Sequence, residues 1–503
     1  MAGKTSLLAL TQGGIVTDVR RKTCLLVSLQ TPRMPGGGGE IRGYFLTLMA
    51  AKMFDLTLIS LGGSDGRGGV SSEVRERCVR VIEPGEASVK DTRAGGKRGR
   101  LMRWWAFLRT LIWPAGNEWN DYLSLLLQYG QSTASGRKRW ICFLVQWHFR
   151  CISPFVSMPP VTSLLFRESW LKVRAAAIAA AASQRFDVIW VEHSLVWPFA
   201  SQLVPEAAHA DATVICSGQN IEWHLLTRQA SNTAERAARW FYQGQARLMR
   251  RMEVSAWRRA DVNLQCSPAD ATCVGQSVTS PVVMISNGVN VDYFQRRAES
   301  AAVDSSLVVF TAGFGYAPNQ EALFWFLHRV LPLVHARRPE TRFLFAGSQA
   351  NQAASMAGLS ATDANGGIEW ISDPVDIRPC FERACVYVVP ILSGGGTRLK
   401  ILEAMAMQVP VVSTSVGAEG VPYRSGEHLL LADTEASFAE AVLRLLEDAE
   451  LRHRLSTAGR RFVESNYRWE TLCERAESQI LQLMGNGVAA GNTRKADRGA
   501  MVE

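Results

Sequence analysis

The chain of 503 residues has ten cysteines but no C-x-x-C pair and no Cys/His spacing that suits zinc. Free thiols in a reducing compartment are the simplest reading, which excludes a disulfide-stapled scaffold. No run of about 18–20 uncharged apolar residues is present, so a spanning helix is not expected. Residues 140–158 come nearest, and Gln146, His148 and Arg150 interrupt them. The N-terminus carries Lys4 but lacks an apolar h-region and a small-residue cleavage site, so no signal peptide and a cytoplasmic location are expected. There is no D-x-D metal pair, and no metal site is predicted. The first glycine turn lacks G-x-G-x-x-G with an acidic residue at the ribose distance, which weighs against a dinucleotide oxidoreductase. No repeat of solenoid period is found.

What is present is concentrated between Cys385 and Ala404, C-V-Y-V-V-P-I-L-S-G-G-G-T-R-L-K-I-L-E-A. The pattern predicts a buried strand over 386–391, a turn at Gly394, Gly395 and Gly396, and a helix from near Thr397. Glycines let the backbone approach a bulky anion without Cβ contacts. The first helical turn, which includes Thr397 and Leu399, aims unpaired N–H groups and partial positive charge at that anion. Arg398 and Lys400 add full charge, and Glu403 stands one turn further on, where a carboxylate can hold a pair of hydroxyls. Phosphate donors, two cations and a hydroxyl acceptor suit a sugar nucleotide. The competing reading is an ordinary turn with Lys400 and Glu403 paired across i, i+3.

The extended run G-G-G-T-R-L-K-I-L-E-A-M-A-M-Q-V-P-V-V-S-T-S-V-G-A-E-G-V resembles the donor-binding core of retaining GT-B glycosyltransferases, the large group 1 family with an E-A-M-A-x-G-x-P-V-V signature. Gln408 stands where that signature has glycine. The resemblance extends to Asn287-Gly288-Val289 before Tyr293-Phe294, to Tyr316-Ala317-Pro318-Asn319 and to Asp376-Ile377-Arg378-Pro379, and is dense from about Val282 to Trp469. It implies an α/β chain of two Rossmann-like parallel-sheet domains facing a cleft. The activity it implies is transfer of a sugar from a nucleoside diphosphate sugar to a hydroxyl acceptor, with retention of configuration, in polysaccharide or glycolipid synthesis. Many relatives carry a second glutamate where this chain has Gly395, which leaves the donor sugar undefined. An epimerase on the same scaffold, or a non-catalytic nucleotide-sugar-binding protein, are the alternatives.

The pattern of strands and helices divides the chain in the same way. Residues 1–22 read as a disordered extension. A first Rossmann-like domain spans 23–295, with a Trp/Arg-rich helical insertion at about 88–170. A second, nucleotide-sugar-binding domain spans 296–466. The resemblance implies that a terminal helix over 467–484 crosses back to the first domain, and 485–503 read as a disordered tail. A helix is predicted over 320–337. The net charge of +9 favours anionic partners: a nucleotide, a lipid phosphate or a membrane surface. Ordinary solubility explains it equally, and no nucleic-acid partner is expected. The Trp/Arg insertion suits a lipid-linked acceptor at an anionic membrane, or is a helical subdomain with its tryptophans in a core.

Other candidates lie at strand ends. His193 follows a strand at 187–191, where parallel sheets bind ligands, and the resemblance places a histidine there facing donor sugar and phosphate. It also brings the turn of Gly38 and Gly39, with Arg42 beyond, to the reacting phosphate and acceptor. Relatives often hold the diphosphate with cations near the first turn of the second domain. Here that turn, Gly313-Phe314-Gly315-Tyr316, has none, so the duty falls to Arg398 and Lys400. Asn319 either caps its helix or touches phosphate, and the cap is favoured. Asp373 and Val375 meet the base by position. Asn220 and Glu222, after Gln219, line the acceptor side. No cofactor is expected beyond the sugar nucleotide, which is a substrate.

Overall fold

The computed structural model describes residues 21–34, 36, 38–62, 69–84, 167–232, 236–297, 303–359, 367–393 and 399–485. The Trp/Arg insertion, apart from its last residues, lies outside them, as do both termini. So do Gly394, Gly395, Gly396, Thr397 and Arg398.

Two parallel sheets form two α/β lobes. The first has seven strands: β1 (Thr23–Ser28), β2 (Asp55–Ser60), β3 (Arg80–Ile82), β4 (Phe186–Glu192), β5 (Ala208–Ser217), β6 (Val262–Gln265) and β7 (Val282–Met284), in the order β3-β2-β1-β4-β5-β6-β7. The second has six: β8 (Leu307–Thr311), β9 (Arg342–Gly347), β10 (Ile368–Ser372), β11 (Val386–Val389), β12 (Val411–Ser413) and β13 (Leu430–Leu431), in the order β10-β9-β8-β11-β12-β13. The central strands, LLVS of β1, VIWVE of β4, LVVFT of β8 and VYVV of β11, are buried throughout. Helices cover both faces of such a sheet, so its strands carry continuous apolar runs. Pro390 has no N–H to donate, and β11 ends before it.

Five helices position the crevice between the lobes: α1 (Gly38–Met53), α2 (Glu222–Asn232), α3 (Arg236–Arg259), α4 (Leu399–Ala406) and α5 (Trp469–Gly485). α5 follows the second lobe in sequence but packs on the first. Trp469 is fully buried and stacks on Phe45 of α1 at 4.9 Å, with Ile480 buried behind it. Burying one such side chain contributes about 3 kcal/mol. The lobes are joined through residues 285–297, where Val289 pairs with Arg468.

One helical expectation needs correction. The helix predicted over 320–337 begins at Ala317 and carries a π turn at Phe326–Val330. Pro332 lies just beyond and cannot donate to the α-helical ladder, which favours this local rewinding.

Candidate functional site

Strand order reverses between β1 and β4 in the first sheet and between β8 and β11 in the second. The carboxyl ends of strands at such a reversal leave a crevice where open α/β sheets bind ligands. Gly38 and Gly39 follow β1, His193 follows β4, Gly313 follows β8, and Leu399, Lys400 and Glu403 follow β11. Gly38 and Leu399 meet across the lobes: a Cβ on Gly38 would lie 2.9 Å from Leu399 Cδ1. A Cβ on Gly39 would sit 1.9 Å from Gln30 Oε1, so a side chain there requires the end of Gln30 to move aside.

On the second lobe, Lys400 Nζ donates to Asn319 Oδ1 at 3.3 Å and lies 5.2 Å from the Phe310 ring centre. Asn319 Nδ2 in turn donates to the Gly313 carbonyl at 2.8 Å. The expected helix cap at Asn319 is therefore wrong. Tyr316 holds the cap position, and the Asn319 side chain ties the loop after β8 to α4 instead. Ser393, the last residue described before the glycine turn, donates to Glu321 at 2.5 Å. Glu403 is half-buried in α4, and burial pushes its carboxyl up to about 7 against the pull of Lys400. Among the described residues its carboxylate accepts no hydrogen bond, and the Lys400–Glu403 ion pair of the competing reading is not formed. Asp373 and Val375 follow β10 at the same edge of the sheet. Asp373 has φ 51° and Val375 is almost fully exposed.

On the first lobe, His193 is buried with φ 89°, a conformation that costs a non-glycine residue about 1–3 kcal/mol. Its N–H donates to Ser217 O at 3.0 Å, and the Leu195 N–H donates to its Nδ1 at 3.2 Å. Nδ1 is thus the acceptor, and the proton sits on Nε2, 3.4 Å from Glu222 Oε1. Burial disfavours the imidazolium, but Glu222, with Glu253 and Glu192 behind it, outweighs burial and raises the pKa. Glu222, expected on the acceptor side, is the partner of His193. Asn220 is half-buried two residues before it.

Two further carboxylates complete this end. Glu253 of α3 is buried; it accepts from Ser194 Oγ at 2.9 Å and from the first N–H groups of α2, Glu222 at 3.2 Å and Trp223 at 3.1 Å. A carboxylate at a helix N-terminus answers the unpaired N–H groups and the helix dipole there. Burial still pushes Glu253 up to about 7, against the Trp223 amide and the Ser194 hydroxyl. Glu192 is buried 4.0 Å from Arg42 Nε.

Arg42 overturns its acceptor-side assignment. It is buried, and its Nη1 donates to Ile285 O at 2.8 Å and Asn287 Oδ1 at 3.0 Å, so α1 is tied to the segment joining the lobes. Its helical neighbours at i+3, i+4 and i+7 are Phe45, Leu46 and Met49, all buried, so its face of α1 points inward. Glu192, Ser217 and Gln265, at the ends of β4, β5 and β6, keep hydrogen-bonding capacity not met within the described protein. Among the described residues no group of three or more His, Cys, Asp or Glu is arranged to hold a metal ion.

Glu253 and Glu192 were not singled out as site residues from sequence. Glu253 sits among arginines in a polar helix, where a solvated charge is the ordinary expectation. Its phase was the available signal, since Ala246, Met249, Ala256 and Trp257 lie on the same face and are buried.

The family profile described as glycosyl transferases group 1 matches residues 305–448. A Klebsiella pneumoniae protein, "Uncharacterized 44.6 kDa protein in cps region", is 29% identical over 164 residues, 32% of this chain and 42% of that protein. The match thus spans under half of that relative. Among solved structures, sucrose-phosphate synthase from Thermosynechococcus elongatus superposes with a TM-score of 0.57 at 16% identity, covering 93% of this chain and all of the other. Anabaena HepE, solved in complex with UDP, gives 0.54 at 12% identity over 92% of this chain and all of the other. At these identities the likeness establishes the fold, which is GT-B.

Proposed function

Because residues 305–448 carry a glycosyl transferases group 1 domain on a GT-B fold, we propose that the chain moves a sugar from a nucleoside diphosphate sugar to a hydroxyl acceptor. The observation that carries this reading is the meeting of two switch-point crevices, with Gly38 of one against Leu399 of the other. UDP in the HepE structure supports a nucleoside diphosphate as the donor's leaving group. The proposed setting is cell-surface polysaccharide or glycolipid synthesis, on a glycan or lipid-linked acceptor at the cytoplasmic face of a membrane; the cps region named for one relative agrees with the polysaccharide part of this reading.

In the proposed reaction the bond from the anomeric carbon to the diphosphate oxygen breaks and a bond to the acceptor oxygen forms. The acceptor loses its proton, and the configuration is retained. Lys400, already oriented by Asn319, answers the charge growing on the leaving diphosphate, together with Arg398 and the first N–H groups of α4. Glu403 accepts from the ribose hydroxyls. His193 Nε2–H, which faces Glu222 before the donor arrives, turns to the donor sugar or its phosphate in place of that carboxylate. Electrostatic stabilisation of this kind needs neither cofactor nor metal. Closure of the lobes limits donor hydrolysis by excluding water.

Nucleotide release measured with a panel of UDP-, GDP- and dTDP-sugars tests the proposal. Acceptor-dependent release of nucleotide with one donor is expected. Interconversion of the sugar without release would indicate an epimerase, and binding without either would indicate a sensor.

A further inference from the structure

α3 carries seven arginines against one acidic residue, and the proposed sugar transfer makes no use of its exposed side. All seven of its arginines are exposed, and six of them, Arg236, Arg239, Arg247, Arg250, Arg251 and Arg258, share one side of the helix, Arg258 also donating to the Ser277 carbonyl at 3.2 Å. At 3.6 residues per turn they fall within an arc of about 120°, a stripe about 33 Å long. Trp240 lies partly exposed on the same arc. The one acidic residue of α3, Glu253, is turned inward onto Ser194 and α2, so no carboxylate of the helix itself offsets the stripe.

The hairpin of α2 and α3 also has a defined position. Glu253 accepts from the first N–H groups of α2, so it is level with the carboxyl end of β5 and with His193. The last turns of α3 lie against the sheet, where Ala256, Trp257 and Ala260 are buried. The part from Glu253 back to Arg236 extends about 25 Å beyond that level. The stripe from Arg236 to Arg251 therefore stands off the crevice edge of the first lobe, with Arg258 at its foot on the lobe itself.

We propose that this stripe seats the protein on an anionic phospholipid bilayer. A lone diphosphate is matched by two or three cations, whereas six along a straight helix match an extended sheet of negative charge. A tryptophan among them suits the boundary between headgroups and acyl chains better than it suits a soluble polyanion. Arg250 also lies over the Trp223 ring of α2 at 5.4 Å, so part of the stripe borders the hairpin's second helix. Seated this way, the hairpin brings the crevice edge to the membrane whatever chemistry occurs there.

The test is sedimentation of the full chain with vesicles of phosphatidylcholine alone or mixed with an equal amount of phosphatidylglycerol. The protein is expected to pellet with the mixed vesicles, not with the neutral ones, and to be released as salt is raised. Each arginine replaced by glutamine is expected to weaken partitioning about five-fold, so R247Q/R250Q/R251Q loses about 100-fold. R247Q/R251Q keeps the Arg250–Trp223 contact and is expected to lose about 25-fold with an unchanged melting temperature. Pelleting of either variant like the wild type overturns the proposal. So does binding of the wild type to duplex DNA or polyphosphate in preference to mixed vesicles.

Discussion

Glu253 in the first lobe and Glu403 in the second are both pushed up to about 7 by burial, yet the protein treats them in opposite ways. Glu253 accepts three hydrogen bonds from its own chain. Glu403 accepts none from the described residues. A buried carboxylate already saturated by N–H and O–H groups is part of the scaffold, and removing it leaves donors unpaired. A part-buried carboxylate that accepts nothing from the described residues has no such scaffold duty among them, which agrees with the binding role proposed for it. Arg42 is likewise spent on Ile285 and Asn287, whereas Lys400 donates to Asn319 beside the crevice.

The contrast can be broken at its strongest point first. Arg42→Met leaves Glu192 buried without its cation and is expected to cost about 3–5 kcal/mol in urea unfolding. Adding Glu192→Leu should recover much of that, and a double variant no more stable than the single one would refute the pairing. Glu253→Ala strips the α2 cap and the Ser194 contact and should cost about 3 kcal/mol, with activity falling only as far as folding does.

Glu403→Gln should behave the other way, with donor turnover down about 100-fold, or ~2.7 kcal/mol, and no loss of stability. The sign follows from the raised carboxyl. Protonated Glu403 favours folding below its ordinary range, and that contribution is lost as pH rises through about 7. Glu403→Gln lacks this loss, so its stability relative to wild type should grow by about 1–2 kcal/mol between pH 5 and pH 8. A fall in stability at pH 8 would place Glu403 with Glu253 in the scaffold. The smallest effect concerns Gln408, which has φ 54° just past α4. Gln408→Gly should raise stability by about 1 kcal/mol, measured by thermal unfolding.

The fold and the strand-end positions of the candidates were legible because parallel strands are continuous apolar runs broken by glycine turns. Gln408 was legible as a departure from the signature, and its positive φ shows why glycine is usual there. What could not be read was the direction of a charged side chain on a helix. Arg42 follows a glycine turn and looked ligand-facing, but the phase of Phe45, Leu46 and Met49 turns it inward. Asn319 sits where a cap is expected, and it is the approach of Gly313 and Lys400, distant in sequence, that decides its role. The pairing of His193 with Glu222 is likewise set by how β4 lies beside β5.

Trp469 and Ile480 complete the core of a lobe whose strands all precede the second lobe in sequence. On the ribosome, that lobe has to wait with an open apolar face while the whole second lobe emerges and folds. Expressed alone, a fragment ending at the joining segment would lack this closure, and supplying α5 as a separate peptide is a direct way to see whether it heals.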